Sequence, residues 1–260
     1  MLALTYLDTN SWLLEWAGQR ILIDPWLVGP LTFGDTPWLF KAERRTARAL
    51  PANIDQIVLS QGLPDHAHTP TLAQCDRTIP VIASPNATKV VQDLGFASIH
   101  TLEQGAQLKV TPELTIAAVP GSPVGPNLLE NGYVFTHIEE QTKLYYEPHG
   151  YHADELENFA PLDVVITPLI DLKLPLVGVV LGGQARSLQL AQRVQPQVMI
   201  PTAAGGDVEI TGLLVKLLKA EGTIARFRGL LQDHNLDTQV IEPQPWQRFE
   251  VPLAQQVGVE

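Results

Sequence analysis

The side chains best suited to chemistry lie in one short loop, Ser60-Gln61-Gly62-Leu63-Pro64-Asp65-His66-Ala67-His68. The loop follows the apolar run Ile54–Ser60, which predicts a buried strand, and sites in α/β proteins lie beyond the carboxyl ends of strands. Asp65, His66 and His68 offer a carboxylate and two imidazoles, a donor set that suits Zn²⁺, Mn²⁺ or Fe²⁺. The same residues also suit a helix that begins at Asp65, with both histidines in solvent. Both interpretations stay open at this point.

A second loop carries histidines after another predicted strand. It reads Tyr145-Tyr146-Glu147-Pro148-His149-Gly150-Tyr151-His152 and precedes a helix predicted over residues 153–159. His149 stands between a proline and a glycine, which restrict its backbone. The alternative is a loop filled with aromatic side chains. Because both histidine-bearing loops follow strands, we expect them to converge.

Composition excludes several classes of protein. The 260 residues include 17 Lys and Arg against 28 Asp and Glu, a net charge of −11 that argues against a nucleic-acid partner. A single cysteine, Cys75, excludes an intramolecular disulfide and, with no targeting segment recognised, favours the cytoplasm. The most apolar stretch, residues 164–181, contains prolines and charges, so no membrane span is predicted. That stretch could instead cover a second subunit in an oligomer.

The order of the elements predicts the fold class. Short strands fill the first half of the chain, and helices alternate with strands in the second half, with helices also predicted over Lys41–Leu50 and Ile210–Ala220. We expect an α+β protein forming one domain over residues 1–260, with two sheets face to face and helices outside. Between Trp26 and Trp38 lies a Pro/Gly/aromatic-rich loop. The two tryptophans either anchor this loop or form an apolar wall that contacts a substrate.

Several motifs resemble one known superfamily. The opening hairpin leads into Ile21-Leu22-Ile23-Asp24-Pro25-Trp26, and Asn131-Gly132-Tyr133 and Ile200-Pro201-Thr202 follow later. With the Ser60–His68 loop, these stretches resemble the metallo-β-lactamase fold superfamily, in its branch of lactonase-like and phospholipase-D-like hydrolases, over about residues 1–205. The loop itself is similar to a cyanobacterial and plant group that reads S-Q-G-L-x-D-H-x-H. The resemblance implies a four-layer αββα sandwich.

The resemblance also implies that most metal ligands of the superfamily are absent. The first two histidines of the metal loop correspond to Gln61 and Leu63, and a third histidine corresponds to Ser122 or a neighbour. The final histidine corresponds to Ala203 or Ala204. Gln61 is a poor donor for zinc, so we expect it to contact the ligands rather than the metal.

What remains implies at most one metal ion. Asp65 and His66 stand where the superfamily has them, His149 falls at the bridging aspartate, and His68 is a fourth candidate. Asp24 is expected to hold the metal loop by hydrogen bonding. The implied protein is a hydrolase of a small ester, lactone or phosphodiester, with one divalent ion, zinc before manganese or iron, and Asp65 acting on the attacking water. The alternative is a metal-free, non-catalytic protein that binds a small molecule or an acyl ligand on the same fold.

Overall fold

The computed structural model describes residues 1–124, 128–175, 178–203 and 205–254. In chain order, the elements up to residue 124 are β1 (Ala3–Tyr6), β2 (Trp12–Trp16), β3 (Gln19–Ile23), β4 (Leu31–Thr32), β5 (Lys41–Arg44), β6 (Gln56–Leu59), α1 (Thr69–Leu72), β7 (Val81–Ala83), α2 (Pro85–Asp93), β8 (Ile99–Thr101), β9 (Gln107–Lys109) and β10 (Leu114–Val124). From residue 128 onward they are β11 (Leu128–His137), β12 (Lys143–Tyr146), a 3₁₀ helix (Asp154–Phe159), β13 (Val164–Thr167), β14 (Asp171–Leu174), β15 (Gly178–Leu181), α3 (Gln184–Val194), β16 (Val198–Pro201), β17 (Val208–Thr211), α4 (Leu213–Leu217), β18 (Lys219–Glu221), α5 (Ile224–Asp233), β19 (Gln239–Val240) and β20 (Arg248–Glu250).

The first large sheet has the strand order β20-β1-β2-β3-β6-β7-β8. Hairpins make its first half, since β1 pairs antiparallel with β2, and β2 with β3. The pairs β3–β6, β6–β7 and β7–β8 are parallel, so these strands end at one edge of the sheet. Ser60 follows β6 at that edge, which places the first predicted loop there.

The second large sheet has the strand order β19-β16-β13-β12-β11-β10-β9. Strand β12 pairs antiparallel with β11 and parallel with β13, and its carboxyl end carries the second predicted loop. The two sheets are joined near the end of β6, where Asn131 donates its N–H to Ser60 O at 3.1 Å and the Tyr133 hydroxyl donates to Leu59 O at 2.9 Å. Both loops therefore emerge at the same seam between the sheets.

Apolar side chains fill three spaces between four layers. Between the sheets, side chains such as Trp12 and Val58 of the first meet Tyr133 and Ile166 of the second. Helices α1 and α2 cover the outer face of the first sheet, and α3 and α5 cover that of the second. Central strands such as β6 and β13 are buried along their whole length and read as apolar runs. The predicted α+β, four-layer αββα sandwich is confirmed. Among the described helices, none is long and apolar enough to cross a membrane.

Two predicted helices are wrong. Lys41–Arg44 forms β5, because alternation buries Ala42 while its neighbours face outward, and the strand pairs with β4 and β17 in a small sheet. The amphipathic segment Ile210–Ala220 divides into the end of β17, the short α4 and the start of β18. Gly212, with a φ of +111°, separates β17 from α4. In both places strand pairing outweighs the helical pattern.

Candidate metal centre

Three side chains from the two predicted loops converge on one point. Asp65 and His66 follow β6, His149 follows β12, and one ligand atom from each lies within 4.8 Å of the other two. His66 is fully buried, whereas the side chains of Asp65 and His149 are 19% and 16% exposed. The predicted convergence is therefore confirmed, and the group reaches solvent through Asp65 and His149.

A buried carboxylate orients His66. Asp24 Oδ2 lies 2.8 Å from His66 Nδ1, and the same carboxylate accepts hydrogen bonds from the N–H and hydroxyl of Ser60 and from the Tyr146 hydroxyl. When His66 donates Nδ1–H to Asp24, its Nε2 lone pair faces the other two side chains of the group. Proteins orient metal-binding histidines in this way. Asp24 itself has a φ of +43°, a strained conformation that these contacts hold.

The charges around His66 set its protonation. Burial lowers the pKa of His66, but Asp65 and Asp24 outweigh burial and raise it to about 10. Burial also disfavours the charged form of Asp65, but the charge and hydrogen bond of His66 lower the Asp65 pKa below its ordinary value. Without a cation, His66 is therefore an imidazolium between two carboxylates. A divalent cation at Nε2 must displace that proton, because imidazole binds metals in its neutral form.

Backbone contacts hold the loop that carries His149. Glu147 Oε2 accepts the N–H of His149 at 3.1 Å, and His149 O accepts the N–H of Gly182 at 2.8 Å. Gly150 has a φ of +76°, and a Cβ there would overlap the carbonyl oxygen of Gly182. Burial and the charge of His66 lower the pKa of His149 to about 4, so its imidazole is neutral at pH 7 and able to bind a cation.

Two side-chain amides border the same point. Gln61 Nε2 lies 2.9 Å from His66 Nε2 and 3.1 Å from His149 Nδ1, so its amide stands between the two rings. Asn10 Nδ2 lies 3.1 Å from His66 Nε2 and 3.3 Å from Asp65 Oδ2. Asn10 belongs to the turn between β1 and β2, in which Asp8 and Thr9 have φ values of +74° and +49°.

Buried oxygens without a hydrogen-bond partner gather around this group. Asn10 Oδ1, Gln61 Oε1, Asp65 Oδ1 and Glu147 Oε1 are all buried, and none of them accepts a hydrogen bond from any residue that the structure describes. Nearly all buried polar atoms in proteins are paired, so such a cluster needs an explanation. Each of these atoms is an acceptor, and a cation satisfies acceptors. The chemistry of the donor set therefore fits a divalent metal ion.

The sequence as a whole decides the family. A family model described as the beta-lactamase superfamily domain matches residues 3–203. The chain belongs to this family. No curated protein matches the sequence.

Solved structures of the beta-lactamase superfamily fold align with nearly the whole chain. The isothiocyanate hydrolase from Delia radicum gut bacteria is 17% identical, with a TM-score of 0.70, and the match covers 96% of this chain and 98% of that one. A metallo hydrolase from the archaeon Ignicoccus hospitalis is 15% identical, with a TM-score of 0.68 and coverages of 96% and 99%. A possible metal-dependent hydrolase from Veillonella parvula is 15% identical, with a TM-score of 0.73 and coverages of 96% and 100%. At these identities the likeness shows the fold alone.

Leu63 and Ala203 stand at two positions where the resemblance predicts that metal ligands of the superfamily have been lost. Leu63 is 37% exposed, and Ala203, with a φ of +70°, donates its N–H to Thr9 O at 2.9 Å. Ala204 lies outside the described residues.

His68, the fourth candidate ligand, does not join Asp65, His66 and His149. It caps α1, with Nδ1 accepting the N–H of Thr71 at 3.3 Å, and its Nε2 lies 3.3 Å from Pro30 O. Burial lowers its pKa to about 4. A helix does follow the loop, but its N-cap is His68 rather than Asp65, and His66 and His68 are both buried rather than in solvent. That cap turns the imidazole of His68 away from the other donors, which corrects its prediction as a fourth ligand.

The two tryptophans predicted at a substrate surface have different positions. Trp26 is fully buried, donates Nε1–H to Gly29 O at 3.1 Å, and packs against Arg44, whose Cζ lies 4.9 Å from the ring centre. A buried ring presents no surface to a ligand, so the structure gives Trp26 a packing role instead. Trp38 is 66% exposed, and its contact with a substrate stays a prediction.

Sequence reasoning missed four polar residues of this region. Asn10, Tyr146 and Glu147 lie in stretches that the sequence marks, but nothing in a turn or a strand end shows which side chain faces the other sheet. Glu130 is 2% exposed, and its carboxylate accepts a hydrogen bond from Asn86 at 3.1 Å. Burial raises the pKa of Glu130 to about 7.

Proposed function

We propose that this protein is a metal-dependent hydrolase with a single divalent cation held by Asp65, His66 and His149. The observation that carries the proposal is the convergence of these three donors within 4.8 Å at the seam of the two sheets. Their chemistry, one carboxylate and two imidazoles, suits Zn²⁺, Mn²⁺ or Fe²⁺. A cation bound there would supply Lewis acidity, and Zn²⁺ would lower the pKa of a water molecule to about 7.

The side chains around the cation have separate tasks. Asp24 keeps the proton on Nδ1 of His66 and so directs Nε2 toward the cation. Asp65 is ionised, and its buried Oδ1 has no hydrogen-bond partner among the described residues, which suits it to orient the attacking water or to accept a proton from it. The burial of His66 limits the substrate to the side of Asp65 and His149.

The proposed substrate is a small ester, lactone or phosphodiester. The net charge of −11 disfavours polyanionic nucleic acid and leaves small molecules as the substrate class. The single cysteine is compatible with the cytoplasm, the location that we propose. An oligomer also stays a proposal.

Metal content and hydrolysis test this function together. Protein purified without chelator should contain about one ion per chain by mass spectrometry, and should hydrolyse at least one nitrophenyl ester, lactone or bis-nitrophenyl phosphate. An isothiocyanate belongs in the panel because one neighbour of the fold is named for that substrate. Asp65→Ala and His149→Ala should lose both the ion and the hydrolysis. His152→Ala, three positions along the same loop, should keep both.

A second candidate is a metal-free protein that binds a small molecule or an acyl ligand. One observation favours it: His66 lies 2.8 Å from Asp24 Oδ2 and 3.0 Å from Asp65 Oδ2, so that as an imidazolium it compensates both carboxylates without a metal. For this candidate, no ion binds after Zn²⁺, Mn²⁺ and Fe²⁺ are added in turn. The double variant Asp65→Ala with His149→Ala would then leave ligand binding intact.

A further inference from the structure

Three polar atoms lie close to Nε2 of His66, more than one ring nitrogen can pair with by hydrogen bonding. Gln61 Nε2, Asp65 Oδ2 and Asn10 Nδ2 lie 2.9, 3.0 and 3.1 Å from this one nitrogen. A ring nitrogen carries either one proton or one lone pair. A proton at Nε2 suits Asp65 but opposes both amide N–H groups, and a lone pair suits an amide but opposes Asp65. With the two amides in this orientation, hydrogen bonding therefore leaves contacts at Nε2 of His66 unmatched, although Asn10 Nδ2 can donate to Asp65 Oδ2 at 3.3 Å.

The two amides share a second anomaly. Asn10 Oδ1 and Gln61 Oε1 are both buried without a partner, while the nitrogen ends of the same amides face His66. The oxygen and nitrogen ends of a carboxamide have nearly the same shape and exchange by rotation of the terminal bond. After that exchange, both unpaired oxygens face the point shared by Asp65 and the two imidazoles. The exchange is favourable once a cation attracts them.

The spacing matches a shared coordination sphere. Neighbouring donors of an octahedral ion, at about 2.1 Å from it, stand about 3 Å from each other. The two amides, Asp65 and the two imidazoles make contacts of 2.9–3.3 Å along this cluster. The strained turn at Asp8 and Thr9 delivers Asn10 to this position, as expected where backbone strain serves a site.

We propose that Asn10 and Gln61 are further ligands of the cation, through Oδ1 and Oε1. Their two oxygens raise the affinity of the centre for Mn²⁺ or Fe²⁺ more than they raise its affinity for Zn²⁺. Three oxygens and two imidazole nitrogens exceed the tetrahedral set of four donors in which zinc is most often held, and carboxylate and carbonyl oxygens suit manganese. The inference rests on the proposed function, because it concerns the same ion. It replaces the expectation that Gln61 contacts only the ligands.

Metal titration calorimetry on the full chain tests the two amides, with Mn²⁺ and Zn²⁺ as probes. Gln61→Met keeps the length of the side chain and removes its oxygen, whereas Gln61→Glu keeps an oxygen. We expect Gln61→Met and Asn10→Ala each to lose at least about 10-fold in Mn²⁺ affinity and less in Zn²⁺ affinity. Gln61→Glu and Asn10→Asp should bind Mn²⁺ at least as tightly as the native chain. The spectrum of bound Mn²⁺ in electron paramagnetic resonance should broaden in Gln61→Met.

A matched control separates a lost ligand from a lost buried amide. Gln184 is also buried, and its Oε1 also accepts no hydrogen bond from the described residues. Its Nε2 donates to Leu169 O and Thr223 O and contacts none of the proposed ligands. Gln184→Met should leave both metal affinities unchanged. If the Gln61→Met and Asn10→Ala chains bind Mn²⁺ within about 2-fold of the native chain, Asn10 and Gln61 are not ligands and only this inference fails. A native chain that binds neither ion overturns this inference and the hydrolase proposal together.

Discussion

Replacing Asp24 with asparagine removes a buried negative charge and keeps the shape of the side chain. The carboxylate accepts four hydrogen bonds, from Ser60 N, the Ser60 hydroxyl, His66 Nδ1 and the Tyr146 hydroxyl. The asparagine oxygen can retain the bond from Ser60 N, and the Ser60 hydroxyl can turn to accept from the new amide. The Nδ1–H of His66 then loses its acceptor, whereas the Tyr146 hydroxyl can donate to Asn10 O at 2.9 Å instead.

The expected cost follows from the lost ion pair and hydrogen bond between His66 and Asp24. A hydrogen bond to a charged group contributes about 1.5–3 kcal/mol, and breaking a buried ion pair costs about 3–5 kcal/mol. We expect Asp24→Asn to lower the free energy of unfolding by roughly 3–5 kcal/mol in urea denaturation followed by circular dichroism. The same variant should bind a divalent cation about 10–100-fold more weakly, because His66 loses its orientation.

Asp55→Asn is the control for this prediction. Asp55 is exposed and accepts one hydrogen bond, from Arg20 N at 2.9 Å. Its replacement should change the free energy of unfolding by at most about 0.5 kcal/mol. If Asp24→Asn destabilises the chain by no more than this control does, Asp24 does not organise the site and the geometric account of His66 is refuted.

Three further predictions concern protons and backbone space. Because His66 holds its proton up to a pKa of about 10, binding of one cation should release one proton, and the affinity for the cation should rise about tenfold per pH unit below pH 10. Calorimetry in two buffers of different ionisation enthalpy counts the released proton. A count of zero contradicts the assignment of this proton to His66. Burial raises the pKa of Glu130 from 4.5 to about 7, so its stabilising contribution is complete below pH 4.5 and is lost as pH rises through 7; Glu130→Gln should flatten the decline in urea midpoint between pH 5 and 8, and parallel curves would refute this. Gly150→Ala should lower the free energy of unfolding by more than about 3 kcal/mol, because the new Cβ would meet Gly182 O. Gly95 has a φ of +77° and open space around it, so Gly95→Ala should lower this free energy by about 1 kcal/mol. Equal melting temperatures of the two variants would contradict this prediction.

Sequence predicts the positions of the strand ends better than the directions of the side chains. The apolar run before Ser60 and the run through Tyr146 each predict a strand followed by a loop, and a loop at the end of each strand is what the structure shows. Local pattern cannot tell that the turn at Asn10 meets the loop at Asp65, because 55 residues separate them and only sheet packing joins them. His68 shows the opposite error, since its helix cap is a local contact that competes with metal binding.

The small sheets show why helical periodicity failed. Lys41–Arg44 and Val208–Thr211 are far apart in the chain and become strands only because they pair with each other. Lys41–Arg44 has one apolar residue, Ala42, so a basic surface helix is the better local solution for residues 41–50, whereas the alternating, β-branched Val208–Thr211 suits a strand. The fold class was still predicted correctly, because central strands of the two large sheets, such as β6 and β13, are buried apolar runs.

The seam between the sheets has a consequence for the life of the protein in a cell. Asp65 and His66 follow a strand of one sheet, and His149 follows a strand of the other. An ion bound by all three would therefore cross-link the two halves of the sandwich. Free ion at a hundred times its dissociation constant adds about 2.7 kcal/mol to the resistance against unfolding. Metal supply would then govern how long the chain escapes proteolysis, as well as how fast it turns over substrate.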